Sequence, residues 1–157
     1  MSKTTEEKQT YTITELLSLN QTITELSAVS RERGERIYKL PFRMDYALAR
    51  TLARLKTALE PINQKQEETQ TQIKKIDKQE ASSRDSKKDN HNPETFQKLR
   101  QKLQDDFNEA LKSEVEFEPY HFKKWDDKER EQIENAGISA ALMFALEPLG
   151  FMDSMGD

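Results

Sequence analysis

Apolar positions recur along this chain at helical spacing, in blocks divided by short polar or Pro- and Gly-containing breaks. The first block opens at Thr12-Ile13-Thr14-Glu15. This has the spacing of a capping box, in which the Thr hydroxyl accepts from the backbone N–H three residues on and the Glu reaches back. Ile13, Leu16, Leu17, Ile23 and Leu26 follow on one stripe, with Leu19 and Val29 nearby, so the spacing predicts a helix over 13–29. The polar residues ahead of it, 1–12, are read as a flexible arm. Ser30 to Gly34 ends the block, because Gly34 can adopt backbone angles closed to other residues.

A β-tolerant run follows at Arg36-Ile37-Tyr38-Lys39-Leu40, and Pro41 stands where a first helical residue would. Leu48, Leu52, Leu55, Leu59, Ile62, Gln66, Thr69, Ile73 and Ile76 then alternate steps of four and three, a coiled-coil seam interrupted by two polar positions. Pro61 inside it lacks a backbone donor and predicts a kink or a break. The small, polar stretch ASSRDSKKDNHN predicts a hairpin tip over about 80–92. Asn92-Pro93-Glu94 restarts a helix, with Asn as cap and Pro in first position. Phe96, Leu99, Leu103, Phe107, Ala110 and Leu111 form its apolar stripe, which would cover the Leu52–Ile76 seam.

Val115-Glu116-Phe117-Glu118 alternates with period two before Pro119, predicting an edge strand that pairs with 36–40 at the hairpin's base. Asp126 and Asp127 favour a helix start, and Asn135-Ala136-Gly137 a stop. Ser139 would cap a final helix over Ala140 to Leu146, ended by Pro148 and Gly150. Apolar on nearly every side, that helix belongs in a core or an interface, with Leu142, Met143, Phe144 and Leu146 as interface residues. The predicted fold is mainly α: a long, coiled-coil-like antiparallel helical hairpin, a short two-stranded β element at its base and an apolar C-terminal helix. One domain over 13–152 accounts for it, followed by a tail over 153–157.

Composition sharpens this picture. Of 157 residues, 34% are hydrophobic, below the roughly 45–50% of a typical domain. A thin core of this kind implies a partner. No cysteine is present, which removes disulfides, thiolate zinc sites and thiol nucleophiles. No run approaches a membrane span, and the start MSKTTEEKQT lacks a signal-peptide apolar region. The net charge of -4 is unevenly placed. Residues 31–56 hold eight basic and three acidic side chains, whereas residues 103–157 hold five basic and fourteen acidic. Such a chain can attract copies of itself; its acidic total argues against a dedicated nucleic-acid binder.

Candidate chemistry is sparse. His91 and His121 are the only histidines, and neither has a second ligand at the i+3 or i+4 spacing of a helical metal site. Glu114, Glu116 and Glu118 share one face of the predicted strand, where a solvated edge explains them better than a cation site or an acid–base pair. The four glycines fall in no phosphate-binding loop, and no serine sits in a nucleophile elbow. No catalytic residue, metal or cofactor is therefore nominated, and no enzymatic activity is expected. Arg43, Arg50 and Arg54 are different: steps of seven and four put them on one helix face, with Tyr46 four residues before Arg50. Arginines beside an aromatic ring suit a phosphate-bearing ligand or a partner surface. The plainer reading pairs them with acids of the C-terminal segment.

The same residues carry a resemblance. Lys39-Leu40-Pro41, Tyr46-Ala47-Leu48-Ala49-Arg50 and the long charged helix after them resemble the opening of a family of small tailed-bacteriophage proteins. The ending is similar too, in Glu114-Val115-Glu116-Phe117-Glu118-Pro119, Ile138-Ser139-Ala140-Ala141-Leu142 and Ala145-Leu146-Glu147-Pro148-Leu149. Residues 13–150 are covered; the basic stretch before Leu40 and the very polar tip depart from the pattern. The resemblance implies a phage origin, a non-enzymatic role and no catalytic residues. Two functions follow as expectations. The first is a virion-associated or assembly protein that oligomerises and bridges other phage proteins, in the virion or the host cytoplasm. The alternative is a counter-defence protein that sequesters a host nucleotide signal between subunits through Arg43, Tyr46, Arg50 and Arg54.

Overall fold

The computed structural model describes residues 9–85 and 93–156. The chain is mainly helical, with one long helix and a small two-stranded antiparallel sheet. Strand β1 (Gln9–Thr12) leads directly into α1 (Ile13–Leu26). The capping box forms as the spacing requires: the Glu15 N–H donates to Thr12 Oγ1 at 3.1 Å, and the Thr12 N–H to Glu15 Oε1 at 3.4 Å. Leu16, Leu19, Ile23 and Leu26 of α1 are buried. The helix ends three residues before the predicted limit. Ser27 caps it, and Arg36 returns across its end to donate to the Leu26 carbonyl at 3.0 Å.

Helix α2 runs unbroken from Phe42 to Asp85, about 66 Å at the usual rise per residue. Of the kink or break expected at Pro61, the break is absent. Pro61 is exposed, while Leu59 and Ile62 on either side are buried, so packing carries the helix through one missing hydrogen bond. The helix also continues past Ile76, where a polar tip was expected; His91 and the rest of that tip, 86–92, lie outside the described residues. Helix α3 (Pro93–Leu111) returns along α2, tied by Arg100 to Asp77 and to the buried carboxylate of Glu80. Its far end reaches α1, where Thr14 Oγ1 donates to the Leu111 carbonyl at 3.2 Å.

The strand pairing differs from the prediction. Strand β2 (Glu114–Phe117) pairs with β1 and not with 36–40, in the register Gln9 to Phe117 and Thr12 to Glu114. Tyr11 and Phe117 meet edge-to-face at 6.1 Å, and both are buried. Two aromatic side chains on a shared sheet face outweigh the weak β tendency of 36–40. That segment instead bends back on the end of α1, with a single bridge between Val29 and Arg36.

An irregular stretch leads to α4 (Asp127–Asn135), started by a second capping box between Asp126 and Glu129 and followed by Gly137 at φ 72°. Ser139 caps a short helix, α5 (Ala140–Ala145), where the final helix was expected, and two further short elements follow it, a 3-10 turn (Glu147–Leu149) and α6 (Phe151–Met155). Gly150, at φ 75°, separates the last two. So part of the expected tail is folded, and Ser154 within it is buried. The contiguous apolar core joins α1, the first half of α2 as far as Ile62, Phe117, Phe122, Trp125 and the C-terminal elements. Among the described residues no helix is long and apolar enough to cross a membrane.

Candidate functional site

The irregular segment 118–126 lies along the start of α2 and is held there bond by bond. Arg54 donates to the Glu118 carbonyl at 3.0 Å, the Tyr120 N–H donates to Thr51 Oγ1 at 3.1 Å, and Arg43 donates to the Lys124 carbonyl at 3.1 Å. As the segment advances its partners step back along α2, so the two run antiparallel. On its other side the Phe122 N–H donates to the Leu149 carbonyl at 2.8 Å and the Trp125 N–H to the Ser154 carbonyl at 3.2 Å. A non-regular backbone must find such partners when it is buried. Here Thr51, fully buried within α2, supplies one of them.

Between this segment and α2 lies a pocket of about 190 Å³ walled by Phe42, Arg43, Tyr46, Ala47 and residues 120–123 and 125. Its walls are mostly aromatic. Tyr46 stacks with Phe42 at 6.4 Å and meets Tyr120 edge-to-face at 5.9 Å. Phe42 is 80% exposed and Tyr46 47%, whereas Trp125 is buried. The Trp125 indole N–H has no acceptor among the described residues. A more open concavity of about 530 Å³ is lined by Arg50, Ala53, Arg54, Thr57 and residues 116–118.

The three arginines singled out in the sequence are all exposed, on one flank of α2, and each sits on a different ring. The guanidinium carbon of Arg43 is 5.3 Å from the Trp125 ring centre, that of Arg50 6.0 Å from Tyr46, and that of Arg54 5.7 Å from Tyr120. Arg43 is also a fork on Glu129, with Nε to Oε2 at 2.8 Å. That hydrogen bond holds the Glu129 carboxyl down at about 2, and the same contact raises Arg43. For Arg43 the plainer reading therefore describes what the structure shows: an ion pair with an acid of the C-terminal segment. Arg50 makes no ion pair among the described residues.

Of the other nominated residues, His121 is exposed on the pocket wall, and Glu114 and Glu116 are exposed on the sheet edge. Among the described residues no three His, Asp or Glu side chains gather as a metal site. The residues named for an interface divide. Leu142 and Leu146 fill this chain's own core, Met143 is half-buried, and Phe144 is 69% exposed. The wall residues Phe42, Tyr120, Phe122 and Trp125 were missed from sequence. Their signal was the density of aromatic side chains in Tyr120-His121-Phe122-Lys123-Lys124-Trp125, since aromatic residues are enriched at binding surfaces.

Compared with family models, curated proteins and solved structures, the chain has no match.

Proposed function

We propose that this chain is a non-enzymatic assembly protein that associates with its own copies and bridges other proteins. Its sequence resemblance sets that role in the building of a tailed-bacteriophage particle, in the virion or the host cytoplasm. The observation that carries the reading is the state of α3. This helix has 19 residues and a regular apolar stripe, yet none of its side chains is buried, and Leu99 is 44% exposed. Opposite it, among the described residues of α2 beyond Ile62, only Thr69, Ile76 and Glu80 are buried. In this reading the distal half of α2 and α3 form the antiparallel hairpin that the apolar spacing predicts. A second copy completes its seam, because an amphipathic helix gains most of its stability from a covered apolar face.

The nucleotide reading is the weaker one. Sequestering an anion calls for guanidinium groups that converge, as in forked recognition of phosphate. Here the three lie on three separate rings, and Arg43 is already paired.

Light scattering with and without a cyclic-nucleotide panel tests the proposal. The expected result is a discrete oligomer indifferent to nucleotides. Leu99→Glu should lower the mass of the oligomer by removing the contact through α3, while changing the stability of the single chain by no more than about 0.5 kcal/mol, as for a surface substitution. A wild-type chain that stays monomeric at all concentrations, or a nucleotide-dependent rise in melting temperature, would overturn it.

A further inference from the structure

The pocket at the start of α2 is lined by none of the residues of α3. Its volume of about 190 Å³ is below the roughly 300–1,000 Å³ of sites that enclose drug-sized ligands, so it suits one side chain and not a nucleotide. The walls, from Phe42, Tyr46, Tyr120 and Trp125, call for an apolar or aromatic anchor. Lys123 lines the pocket, and Arg50 stands beside it with its guanidinium carbon 6.0 Å from the Tyr46 ring; both are exposed and make no ion pair among the described residues.

The complementary shape and charge are present on the same chain. Phe144 projects from α5 at 69% exposure, fixed from behind by Leu142 and Leu146 in the core. Glu147 follows it one turn later and is exposed, and residues 139–156 contain Glu147 and Asp153 but no Lys or Arg. Phe144 does not line the pocket of its own chain. A buried Leu142 and Leu146 leave α5 no freedom to carry it there.

We infer that the pocket receives Phe144 of a second copy of this chain, with Glu147 of that copy meeting Arg50. The ring of Phe144 enters between Tyr46 and Tyr120, as an anchor into an aromatic slot. The charge pair at the rim sets orientation and speeds encounter. Exchanged reciprocally between two copies, the contact makes a two-fold dimer; made head to tail, it is heterologous. Repeated, it closes into a ring or runs on as an open array. It extends the assembly reading and rests on that reading for its biological role, but it uses a surface separate from the α2–α3 arm.

Trp125 is the only tryptophan and forms part of the pocket wall, so its fluorescence reports occupancy directly. The experiment is a dilution series of the full chain, read by Trp125 emission and by light scattering. Wild type should show a saturable, concentration-dependent change in emission. Phe144→Ala and Arg50→Glu, both at exposed positions, should each weaken it about tenfold or more, the loss of a central anchor or its charge partner. Glu147→Lys should weaken it similarly, and Arg50→Glu with Glu147→Lys in one chain should restore it. Mixing the Phe144→Ala and Arg50→Glu chains should give a one-to-one pair, since one supplies the pocket and the other the anchor. The inference is overturned by emission independent of concentration, by an unaffected Phe144→Ala chain, or by failure of the mixed pair to form. The α2–α3 contact is judged separately: it fails if Phe144→Ala leaves only monomer, and stands if that chain keeps an oligomer that adding Leu99→Glu abolishes.

Discussion

Single side chains hold the irregular segment in place, and Thr51 shows how little is needed. Thr51 lies in the middle of a helix, fully buried, with its hydroxyl spent on the Tyr120 N–H. Thr51→Val keeps the shape and removes the acceptor, leaving a backbone donor buried without a partner. We expect a loss of about 1–3 kcal/mol in urea unfolding, with most of it recovered in Thr51→Ser. Glu129 makes a second argument at this scale. It accepts from Arg43 and also caps α4, and its folded-state carboxyl sits at about 2, below the usual 4.5. A group depressed on folding stabilises the protein above its unfolded value and loses that contribution as pH falls through the folded one. Acid unfolding should therefore show a decline in stability between about pH 4.5 and pH 2. Glu129→Gln should flatten that limb and leave the rest of the pH profile in place. Neither role could be read from the chain: a threonine in a helix and a glutamate three residues after an aspartate signal only propensity and a cap. Their partners lie 69 and 86 positions away.

At the scale of elements, local chemistry was a good guide wherever a helix begins. Thr12 with Glu15, and Ser139, cap the helices that their spacing announced, and Asp126, read from sequence only as favouring a helix start, caps α4 together with Glu129; a cap is satisfied within three residues of itself. Local chemistry misled where packing had a vote. Pro61 predicted a kink or a break, and α2 is not broken there but passes through it between buried Leu59 and Ile62. The helix therefore carries a local penalty that tertiary contacts offset. Pro61→Ala restores the donor and relieves the clash with the carbonyl four residues earlier, so it should stabilise the protein by up to about 3 kcal/mol, measured by thermal or urea unfolding. The strand partner was misassigned for a related reason. Period-two alternation in β2 announces a strand but carries no information on which distant segment will pair with it. The Tyr11–Phe117 contact made that choice.

For the whole molecule, the apolar core is concentrated at one end. It gathers α1, the first half of α2, the aromatic segment and the C-terminal elements, and it stops along α2 at Ile62. Beyond it, among the described residues of α2, only Thr69, Ile76 and Glu80 are buried, and Arg100 reaches Asp77 and Glu80. The low apolar content of the sequence has this physical form: enough for a compact base, and too little to cover a helix of 44 residues. The uneven charge has a form as well. Part of it is satisfied within the chain, in Arg43 with Glu129, and part remains on the surface at Arg50, Lys123 and Glu147. By itself the sequence determined what depends on near neighbours: the helical class, the caps, the apolar seams and the shared helix face of the three arginines. Only the tertiary structure decided which strand pairs with which, and that three arginines rest on three rings. It alone placed Phe144 outside the core that holds Leu142 and Leu146. Those outcomes turn on contacts between residues far apart in the chain, where packing geometry, and not the propensity of any segment, selects the partner.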